Sequence, residues 1–384
     1  MKVLVTIPTF PPAADYGGPA LAAYAVAREL MGLGHQVLTL ALDLGGGGPR
    51  GVDTTYRGVP VRYCRGSAGP PFFSLEMARE LGRRLPFHDL CLSRGNWSFV
   101  NYLTRRACRR ARVAYVLYPE GSFDPWAIQH KALRKRLWWR LVEEANYQQA
   151  AAVIALTAAE ADQVRQMGIR SRIEVIPNGV DPEDFAGALS REELEAQFPG
   201  LGPEPYLLFL GRVHEKKGLP LALAALAQLP AKLAGTRLVV AGPGEERYLQ
   251  HLQKIAADLG LGGRVRFLGP VNGAAKAGLL QEADLFILTS RSEGLPIAVL
   301  EAMACGTPVL ISPFCHLPEV AAAGAGMEAG LEPEEIARAL AEILADSAAR
   351  RQMGEAGRRL VAEKFTWPRV GQLTAALCAD LAGD

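Results

Sequence analysis

The stretch SRSEGLPIAVLEAMACGTPVL, residues 290–310, carries the strongest structural signal in the chain. It follows an apolar run that is typical of a buried strand, and it passes through Gly294 and Pro296 into a helix-forming sequence. Pro296 suits the first position of that helix, so we expect Glu293 in the preceding loop and Glu301 about one and a half turns inside the helix. A strand, a tight turn and a helix in this order are typical of parallel α/β sheets.

The start of this helix also predicts a chemistry. The free backbone N–H groups of roughly Gly294 to Ile297, a segment that includes Leu295 and Pro296, are suited to receive a diphosphate. Glu301 can accept hydrogen bonds from ribose hydroxyls, and Glu293 can accept them from a sugar. On spacing alone a second interpretation stays open, in which Glu293 only favours the helix dipole and Glu301 is an ordinary exposed side chain.

Outward from this stretch, short apolar runs alternate with helical patterns along all 384 residues, which predicts an α/β protein. The predicted strands are residues 3–7, 37–41, 61–64, 90–93, 114–118, 153–157, 173–176, 206–211, 237–241, 265–268, 285–289 and 308–311. Residues 178–203 contain turn dipeptides and little apolar periodicity, so they predict an inter-domain connection. We therefore expect two Rossmann-like, doubly wound domains, residues 1–185 and 200–367, that face each other across a cleft.

Composition excludes several classes of protein. With 49% hydrophobic and 21% charged residues, the chain has enough apolar surface for large cores and is unlike a disordered protein. No apolar run approaches the ~20 residues of a membrane-spanning helix, and prolines interrupt the amino-terminal apolar run. The six cysteines form no C-x-x-C pair, so neither a zinc site nor a disulfide framework is expected. We expect a cytoplasmic protein with reduced, buried thiols and no nucleic-acid partner.

Basic residues are concentrated in one region. Residues 105–140 contain ten lysines and arginines, against Glu120 and Asp124 alone. Within it, KALRKRLWWR at 131–140 mixes five basic side chains with leucines and with Trp138 and Trp139. Two interpretations stay open. The region either contacts an anionic membrane surface, with tryptophan at the interface, or is a solvated helix face whose apolar side packs on a sheet.

A second motif, FLGRVHEKKGLPLALAAL at residues 209–226, begins in the strand that is predicted at 206–211, turns at Gly211 and enters a helix at about Leu219. Arg212 and Lys217 are thereby predicted at the carboxyl end of a strand, and Lys216 is assigned to solvent. An arginine grips phosphate oxygens bidentately and a lysine adds a movable charge, so this pair suits a leaving diphosphate. A solvated basic loop is the alternative.

Two further segments follow strands of the first half. PTFPPAADYGGPALAAY places Gly17 and Gly18 before a helix that is predicted to start at about residue 19, where glycines permit close approach of a phosphate or a sugar. LYPEGSF places Glu120 after the strand at 114–118, where its carboxylate can accept from a hydroxyl or assist proton removal. A plain turn and a surface-loop glutamate are the alternatives.

The E-x7-E spacing of Glu293 and Glu301, together with ADLFILTSRSEG, EAMACGTPVL and the earlier IPNGVDPEDF, resembles family 4 glycosyltransferases over nearly the whole chain. The resemblance implies the GT-B fold, a nucleotide-diphosphate sugar donor, no metal or other cofactor, and retention of the donor's anomeric configuration. It implies that Arg212 and Lys217 act on the diphosphate. Many relatives carry a His-Gly pair where this chain has Glu120 and Gly121. A terminal helix, residues 368–384, is expected to pack back on the first domain.

The function that these features favour is a retaining, metal-independent glycosyltransferase. It would move a hexose from a UDP- or GDP-sugar, held by the second domain, to a hydroxyl of a glycan or lipid-linked acceptor on the first, in polysaccharide or glycoconjugate synthesis. Two alternatives remain. One is a GT-B protein of other chemistry, such as a sugar-nucleotide epimerase or a phosphorylase, and the other is a catalytically silent subunit that only binds nucleotide sugars.

Overall fold

The computed structural model describes residues 1–12, 18–43, 51–67, 71–129, 132–202 and 204–383. The chain divides into two compact units. Unit 1 comprises Met1–Asn178 and Trp367–Asp384, and unit 2 comprises Gly179–Thr366.

Unit 1 is built on an eight-stranded sheet in the order β3-β4-β2-β1-β5-β6-β7-β8, in which only the β3–β4 pair is antiparallel. Its strands are β1 (Lys2–Ile7), β2 (Gln36–Asp43), β3 (Asp53–Tyr56), β4 (Val59–Arg65), β5 (Leu90–Arg94), β6 (Ala114–Tyr118), β7 (Ala152–Ala155) and β8 (Arg172–Val175). Its helices are α1 (Gly18–Gly32), α2 (Leu75–Arg84), α3 (Phe99–Ala111), α4 (Pro125–Gln129), α5 (Ala132–Trp138), α6 (Glu144–Gln148), α7 (Ala158–Gln166) and α16 (Trp367–Gly383).

Both faces of this sheet are covered, which is why its central strands are almost continuously apolar. In β1, Val3, Val5 and Ile7 belong to one buried cluster together with residues of α1 and α16, whereas Leu4 belongs to a second cluster with residues of α2 and α3. The alternation follows from the two-residue period of a strand. α16 packs against α1 so closely that a Cβ at Gly371 would lie 2.4 Å from the Cβ of Glu29.

Unit 2 has a six-stranded, fully parallel sheet in the order β11-β10-β9-β12-β13-β14. Its strands are β9 (Tyr206–Leu210), β10 (Arg237–Ala241), β11 (Val265–Gly269), β12 (Leu285–Leu288), β13 (Val309–Ile311) and β14 (Gly326–Glu328). Its helices are α8 (Arg191–Gln197), α9 (Leu219–Ala227), α10 (Glu246–Asp258), α11 (Gly273–Gln281), α12 (Ile297–Cys305), α13 (Glu319–Ala322), α14 (Pro333–Ala345) and α15 (Ser347–Lys364). The strand order reverses between β9 and β12, as in a dinucleotide-binding Rossmann fold.

The two doubly wound sheets confirm the predicted fold class, and each of the twelve predicted strands forms within a residue or two of its expected bounds. The prediction missed β3 and β14. β3 has the sequence DTTY with partly exposed side chains, and β14 has three residues at a sheet edge, so neither shows an apolar run. All six cysteines are buried and unpaired, as expected.

Candidate active site

The loop after β9 positions Lys217. Gly211 has a φ of 148°, and a short 3-10 turn, Glu215–Lys217, precedes α9. Gly218 has a φ of 67°, and a Cβ at this position would lie 2.0 Å from the backbone oxygen of Thr289, in the loop after β12. Only a glycine allows this approach. The two loops are therefore held together at the carboxyl ends of neighbouring strands.

Lys217, in the loop after β9, and Glu293, in the loop after β12, form a buried ion pair. Nζ of Lys217 lies 2.6 Å from Oε1 of Glu293, and the hydroxyl of Ser290 donates to the same oxygen at 2.5 Å. The side chain of Glu293 is 7% exposed, and its backbone N–H donates to the carbonyl of Phe314. Since β9 and β12 are neighbours at the point where the strand order reverses, the pair lies where open α/β sheets bind their ligands.

The charges around Glu293 keep it ionised. Burial opposes its ionisation, but the positive charges of Lys217 and Lys216 and the hydrogen bond from Ser290 outweigh burial, so the pKa of this carboxyl lies below its usual value. Nζ of Lys216 lies 4.0 Å from Oε2 of Glu293, and this lysine is only partly exposed. The assignment of Lys216 to solvent is therefore wrong, because the 3-10 turn directs both lysines toward one carboxylate.

Arg212 lies in the same loop but in a different environment. Its side chain is exposed, and it forms no salt bridge with any residue that the structure describes. Its guanidinium can therefore bind an anionic ligand without first leaving a protein partner.

α12 begins one residue later than predicted. Pro296 is the N-cap residue with ψ of 104°, and Ile297 is the first helical residue. The N–H of Val299 donates to the Pro296 carbonyl at 3.0 Å, so this proline starts the helical hydrogen bonds without having helical backbone angles itself. Leu295 and Pro296 are buried. In the described part of the chain, the N–H groups of Gly294 and Leu295 have no protein acceptor, so they are open to an anion.

Glu301 forms a contact that the sequence did not predict. Its Oε1 lies 2.8 Å from Nζ of Lys276 on α11, and Lys276 also lies over the ring of Phe185, 5.6 Å from the centroid. The pair fixes the orientation of the carboxylate. The second oxygen of Glu301 has no partner among the described residues and can accept hydrogen bonds from a ligand.

In unit 1, Glu120 follows the carboxyl end of β6 and pairs with a buried arginine. Oε1 of Glu120 lies 2.7 Å from Nη1 of Arg94, the last residue of β5, and the Arg94 guanidinium lies 3.9 Å from the centroid of the Tyr118 ring. Arg94 is 2% exposed. Burial raises the pKa of Glu120, and Arg94 opposes this increase only in part. The φ of Glu120 is 53°, a left-handed conformation that is uncommon for a residue with a side chain.

The two predicted glycines of unit 1 have different outcomes. Gly17 lies outside the described residues. The start of α1 was predicted at about Pro19, but the helix begins one residue earlier. Gly18 is therefore the first residue of α1 and not part of the preceding loop. Gly18 is partly exposed.

Metal-ligating groups do not cluster in the part of the chain that is described: no three His, Cys, Asp or Glu residues lie close enough to hold an ion together. The charged groups at the reversal point of unit 2 are instead Arg212, Lys216, Lys217 and Glu293.

Three residues of these sites were missed by sequence reasoning. Ser290 lies three residues before Glu293, so its hydroxyl could have been identified from spacing. Arg94 ends an otherwise apolar strand and, being buried, requires a counter-charge, which is a usable signal. Lys276 belongs to no motif, and its contact with Glu301 depends on how α11 packs against α12.

Two parallel α/β sheets, the second with cationic side chains at its reversal point, define the GT-B class of fold. Residues 190–360 match the family model "glycosyl transferases group 1", and residues 17–179 match the "glycosyl transferase 4-like domain" model. The chain belongs to glycosyltransferase family 4.

Similar proteins are found in several organisms. A GDP-mannose-dependent alpha-(1-6)-phosphatidylinositol monomannoside mannosyltransferase of Mycolicibacterium smegmatis is 31% identical over 55% of this chain and 57% of that protein. A GDP-mannose:cellobiosyl-diphosphopolyprenol alpha-mannosyltransferase of Komagataeibacter xylinus is 26% identical over 93% of this chain and 87% of that protein. The crystal structure of Anabaena HepE with UDP and glucose aligns with a TM-score of 0.78 and 21% identity, over 99% of this chain and 100% of that one, a likeness of fold alone.

Proposed function

We propose that this protein is a retaining glycosyltransferase that moves a hexose from a UDP- or GDP-sugar to a hydroxyl group of a glycan or of a lipid-linked acceptor. In this proposal residues 200–367 bind the nucleotide sugar and residues 1–185 bind the acceptor. The observation that carries it is the buried Lys217–Glu293 pair, next to free backbone N–H groups before α12.

The donor's charge distribution matches this arrangement. The N–H groups of Gly294 and Leu295 bind diphosphate oxygens, and Arg212 and Lys217 neutralise the charge that develops as the diphosphate leaves. Glu301, oriented by Lys276, accepts from the ribose hydroxyls. Each fixed hydrogen-bond donor or charge of this kind raises the reaction rate about 10²–10³-fold, because it needs no reorganisation during the reaction.

The chemical step proposed here needs no protein nucleophile. The acceptor oxygen attacks the anomeric carbon from the face that the diphosphate leaves, the carbon–oxygen bond to the diphosphate breaks, and a diphosphate oxygen takes the acceptor proton. Retention follows because the new bond forms on the same face. Glu293 accepts hydrogen bonds from the donor sugar, and it holds Lys217 in place. Glu120 accepts a hydrogen bond from a sugar hydroxyl.

The comparisons support two donor classes. The mannosyltransferases of M. smegmatis and K. xylinus are named for GDP-mannose, whereas the Anabaena structure contains UDP and glucose. The first two also act on a phosphatidylinositol mannoside and a diphosphopolyprenol, which favours a lipid-linked acceptor. We place the reaction in the cytoplasm, where the six buried thiols stay reduced.

Thermal unfolding with UDP, GDP and ADP, each alone and as common sugar conjugates, tests the donor assignment, since a ligand that binds the native state raises the melting temperature. We expect one of UDP and GDP to give a clearly larger shift than ADP. The anomeric configuration of the product, read from the one-bond carbon–proton coupling at C1 in NMR, then tests retention, since this coupling distinguishes the anomers of both glucose and mannose. No shift with any of the nucleotides, or an inverted product, would overturn the proposal.

A further inference from the structure

Glu160 is a buried carboxylate of unit 1 that the proposed reaction does not use. It is 1% exposed and stands on the first turn of α7, where its backbone N–H donates to the hydroxyl of the N-cap residue Thr157 at 3.1 Å. A glutamate at this position commonly completes a capping box by accepting from the N–H of the N-cap residue. Here both of its oxygens accept from other backbone N–H groups, which lie outside the helix.

Those N–H groups belong to the loops after two neighbouring strands. Oε2 of Glu160 accepts from the N–H of Leu156, directly after β7, at 2.6 Å, and Oε1 accepts from the N–H of Gly121, in the loop after β6. β6 and β7 are parallel, so both loops lie at the carboxyl edge of the unit 1 sheet. Glu160 therefore joins the ends of two strands through charge-assisted hydrogen bonds, which are stronger than neutral ones.

The Gly121 N–H is the backbone group directly after Glu120. Glu120 and Gly121 have left-handed conformations in succession, with φ of 53° and 77°. This conformation is unfavourable for a residue with a side chain, so it persists only where surrounding contacts hold it. The hydrogen bond from Gly121 to Glu160 supplies such a contact for the peptide group between the two residues.

The peptide group before Glu120 is held as well. Nδ2 of Asn96 donates to the carbonyl of Pro119 at 3.3 Å, and the hydroxyl of Tyr147 in turn donates to Oδ1 of Asn96. The backbone is thus fixed on both sides of Glu120, on one side by a neutral amide and on the other by the Glu160 carboxylate.

An aromatic side chain anchors the rest of this loop. Phe123 is 2% exposed, and its ring centroid lies 5.1 Å from that of Tyr147 and 5.4 Å from that of Trp139. Trp138 packs against Phe99 at 4.9 Å, so both tryptophans of the basic segment contact the protein and do not mark a membrane interface. In the described ranges no helix is long and apolar enough to cross a membrane. Because Phe123 is packed in this way, the loop should keep its place when one of its hydrogen bonds is lost.

We propose that Glu160 is a positioning residue, which directs the Glu120 carboxylate at the sugar hydroxyl by holding the Gly121 N–H. This inference rests on the proposed function, in which Glu120 contacts a sugar. The ion pair with Arg94, at 2.7 Å, fixes one oxygen of Glu120 but not the backbone from which the side chain projects. A displacement of about 1 Å at a contact of this kind is sufficient to lower the rate about 10²-fold.

Glu160→Gln tests the proposal, because the amide has nearly the same shape as the carboxylate but has a single acceptor oxygen, so its NH₂ group faces one of the two N–H donors. Hydrogen exchange followed by mass spectrometry should show faster exchange in residues 119–124 and unchanged exchange in α2. For sugar transfer, kcat/KM should fall at least about tenfold. The affinity for UDP or GDP, whichever the wild type binds more tightly, should change less than about twofold, because the proposed function assigns the nucleotide to residues 200–367.

A double-mutant cycle separates positioning from a general loss of stability. Arg94→Met with Glu120→Ala provides a background in which no carboxylate remains at position 120. Adding Glu160→Gln to this background should lower kcat/KM less than about twofold further, since the residue that it positions is absent.

The matched control is Glu80→Gln on α2, which changes another buried carboxylate of unit 1 in the same way. Glu80 is 4% exposed and pairs with Arg84 at 2.7 Å. α2 packs beside β4, which β2, β1 and β5 separate from β6 in the sheet. This variant should lose stability in thermal unfolding and keep kcat/KM within about twofold of the wild type.

Three results would overturn the proposal: unchanged exchange in residues 119–124, near wild-type kcat/KM in Glu160→Gln, or an equal loss of kcat/KM with and without the Glu120 side chain. A background variant as active as the wild type would overturn both this inference and the contact of Glu120 with the sugar in the proposed function. The activity of that background therefore distinguishes the two failures.

Discussion

Replacement of Lys217 by methionine removes the charge that holds Glu293 and preserves most of the volume and the apolar stem of the side chain. Lys217 and Glu293 are separated by 2.6 Å and are 15% and 7% exposed. The variant therefore leaves a carboxylate in a site from which water is largely excluded. The neighbouring Lys216→Met is the matched control, because it removes the same charge from a position 4.0 Å away.

The size of the effect follows from this burial. Loss of one partner of a buried ion pair costs about 3–5 kcal/mol, and the Ser290 hydroxyl and Lys216, which remain, favour the lower value. About 3 kcal/mol corresponds to a fall of roughly 6–12 °C in the melting temperature of a unit of this size. Lys216→Met should cost no more than about 1 kcal/mol, since that pair is long and partly solvated. We also expect kcat/KM to fall at least about 100-fold in Lys217→Met and less than about fivefold in Lys216→Met.

The dependence on pH separates this explanation from a general loss of packing. In the wild type the pKa of Glu293 lies below its usual value, so the carboxylate stabilises the fold above its unfolded-state pKa, and this stabilisation is lost as the pH falls through the folded-state pKa. In Lys217→Met the charge of Lys217 no longer outweighs the effect of burial on Glu293, so the pKa of Glu293 rises. The difference in stability between variant and wild type should therefore be largest at neutral pH and smallest where Glu293 is protonated in both.

Thermal unfolding followed by far-UV circular dichroism, at neutral pH and at about pH 4, measures this difference for both lysine variants. Turnover of the preferred nucleotide sugar, measured by release of the nucleoside diphosphate, gives kcat/KM. An equal loss of stability in the two variants, or a loss in Lys217→Met that is as large at acid as at neutral pH, would refute the reasoning from the buried pair. Near wild-type turnover in Lys217→Met would refute the placement of the donor.

Three further perturbations test other parts of the site. Glu301→Ala should lower transferase activity at least about 100-fold and weaken nucleotide binding in a calorimetric titration, because it removes the proposed acceptor for the ribose hydroxyls; unaltered binding would contradict this role. Activity should survive EDTA, since in the proposed mechanism Arg212, Lys217 and the start of α12 bind the diphosphate without a metal, and a loss that Mg²⁺ or Mn²⁺ restores would contradict that mechanism. Glu120→Gln should destabilise the protein by about 3 kcal/mol because it leaves Arg94 buried without a counter-charge, and Arg94→Met with Glu120→Gln should recover at least half of this in the same unfolding assay.

Local patterns were sufficient to predict most of the fold. The central strands are almost continuously apolar because helices cover both faces of each sheet, so their apolar runs mark them in the sequence. β3 lies at the edge of the unit 1 sheet and, among the described strands, pairs with β4 alone, so its side chains are not buried on both faces. Its place in the sheet depends on pairing, which the sequence of four residues does not encode.

In unit 2 one physical cause brings the predicted site residues Lys217 and Glu293 together. Lys217 and Glu293 each follow a strand directly, and a parallel sheet brings the carboxyl ends of neighbouring strands to one edge. Their meeting could therefore be anticipated from the order of elements. The contact between Lys276 and Glu301 could not, because it joins the middle of two helices, and the side that each helix presents depends on packing.

Glu120 changes the charge of unit 1 less than the sequence suggests. A carboxylate alone in this buried position would repel an anionic donor and would be driven to its neutral form by desolvation. Arg94, at the end of the neighbouring strand, supplies the opposite charge at 2.7 Å. The pair is neutral overall, and among the residues that the structure describes the second carboxylate oxygen of Glu120 has no partner, which supports its proposed role as an acceptor for a sugar hydroxyl. Arg94 and Glu120 therefore act as one unit, and a chain that carries this glutamate requires the arginine with it.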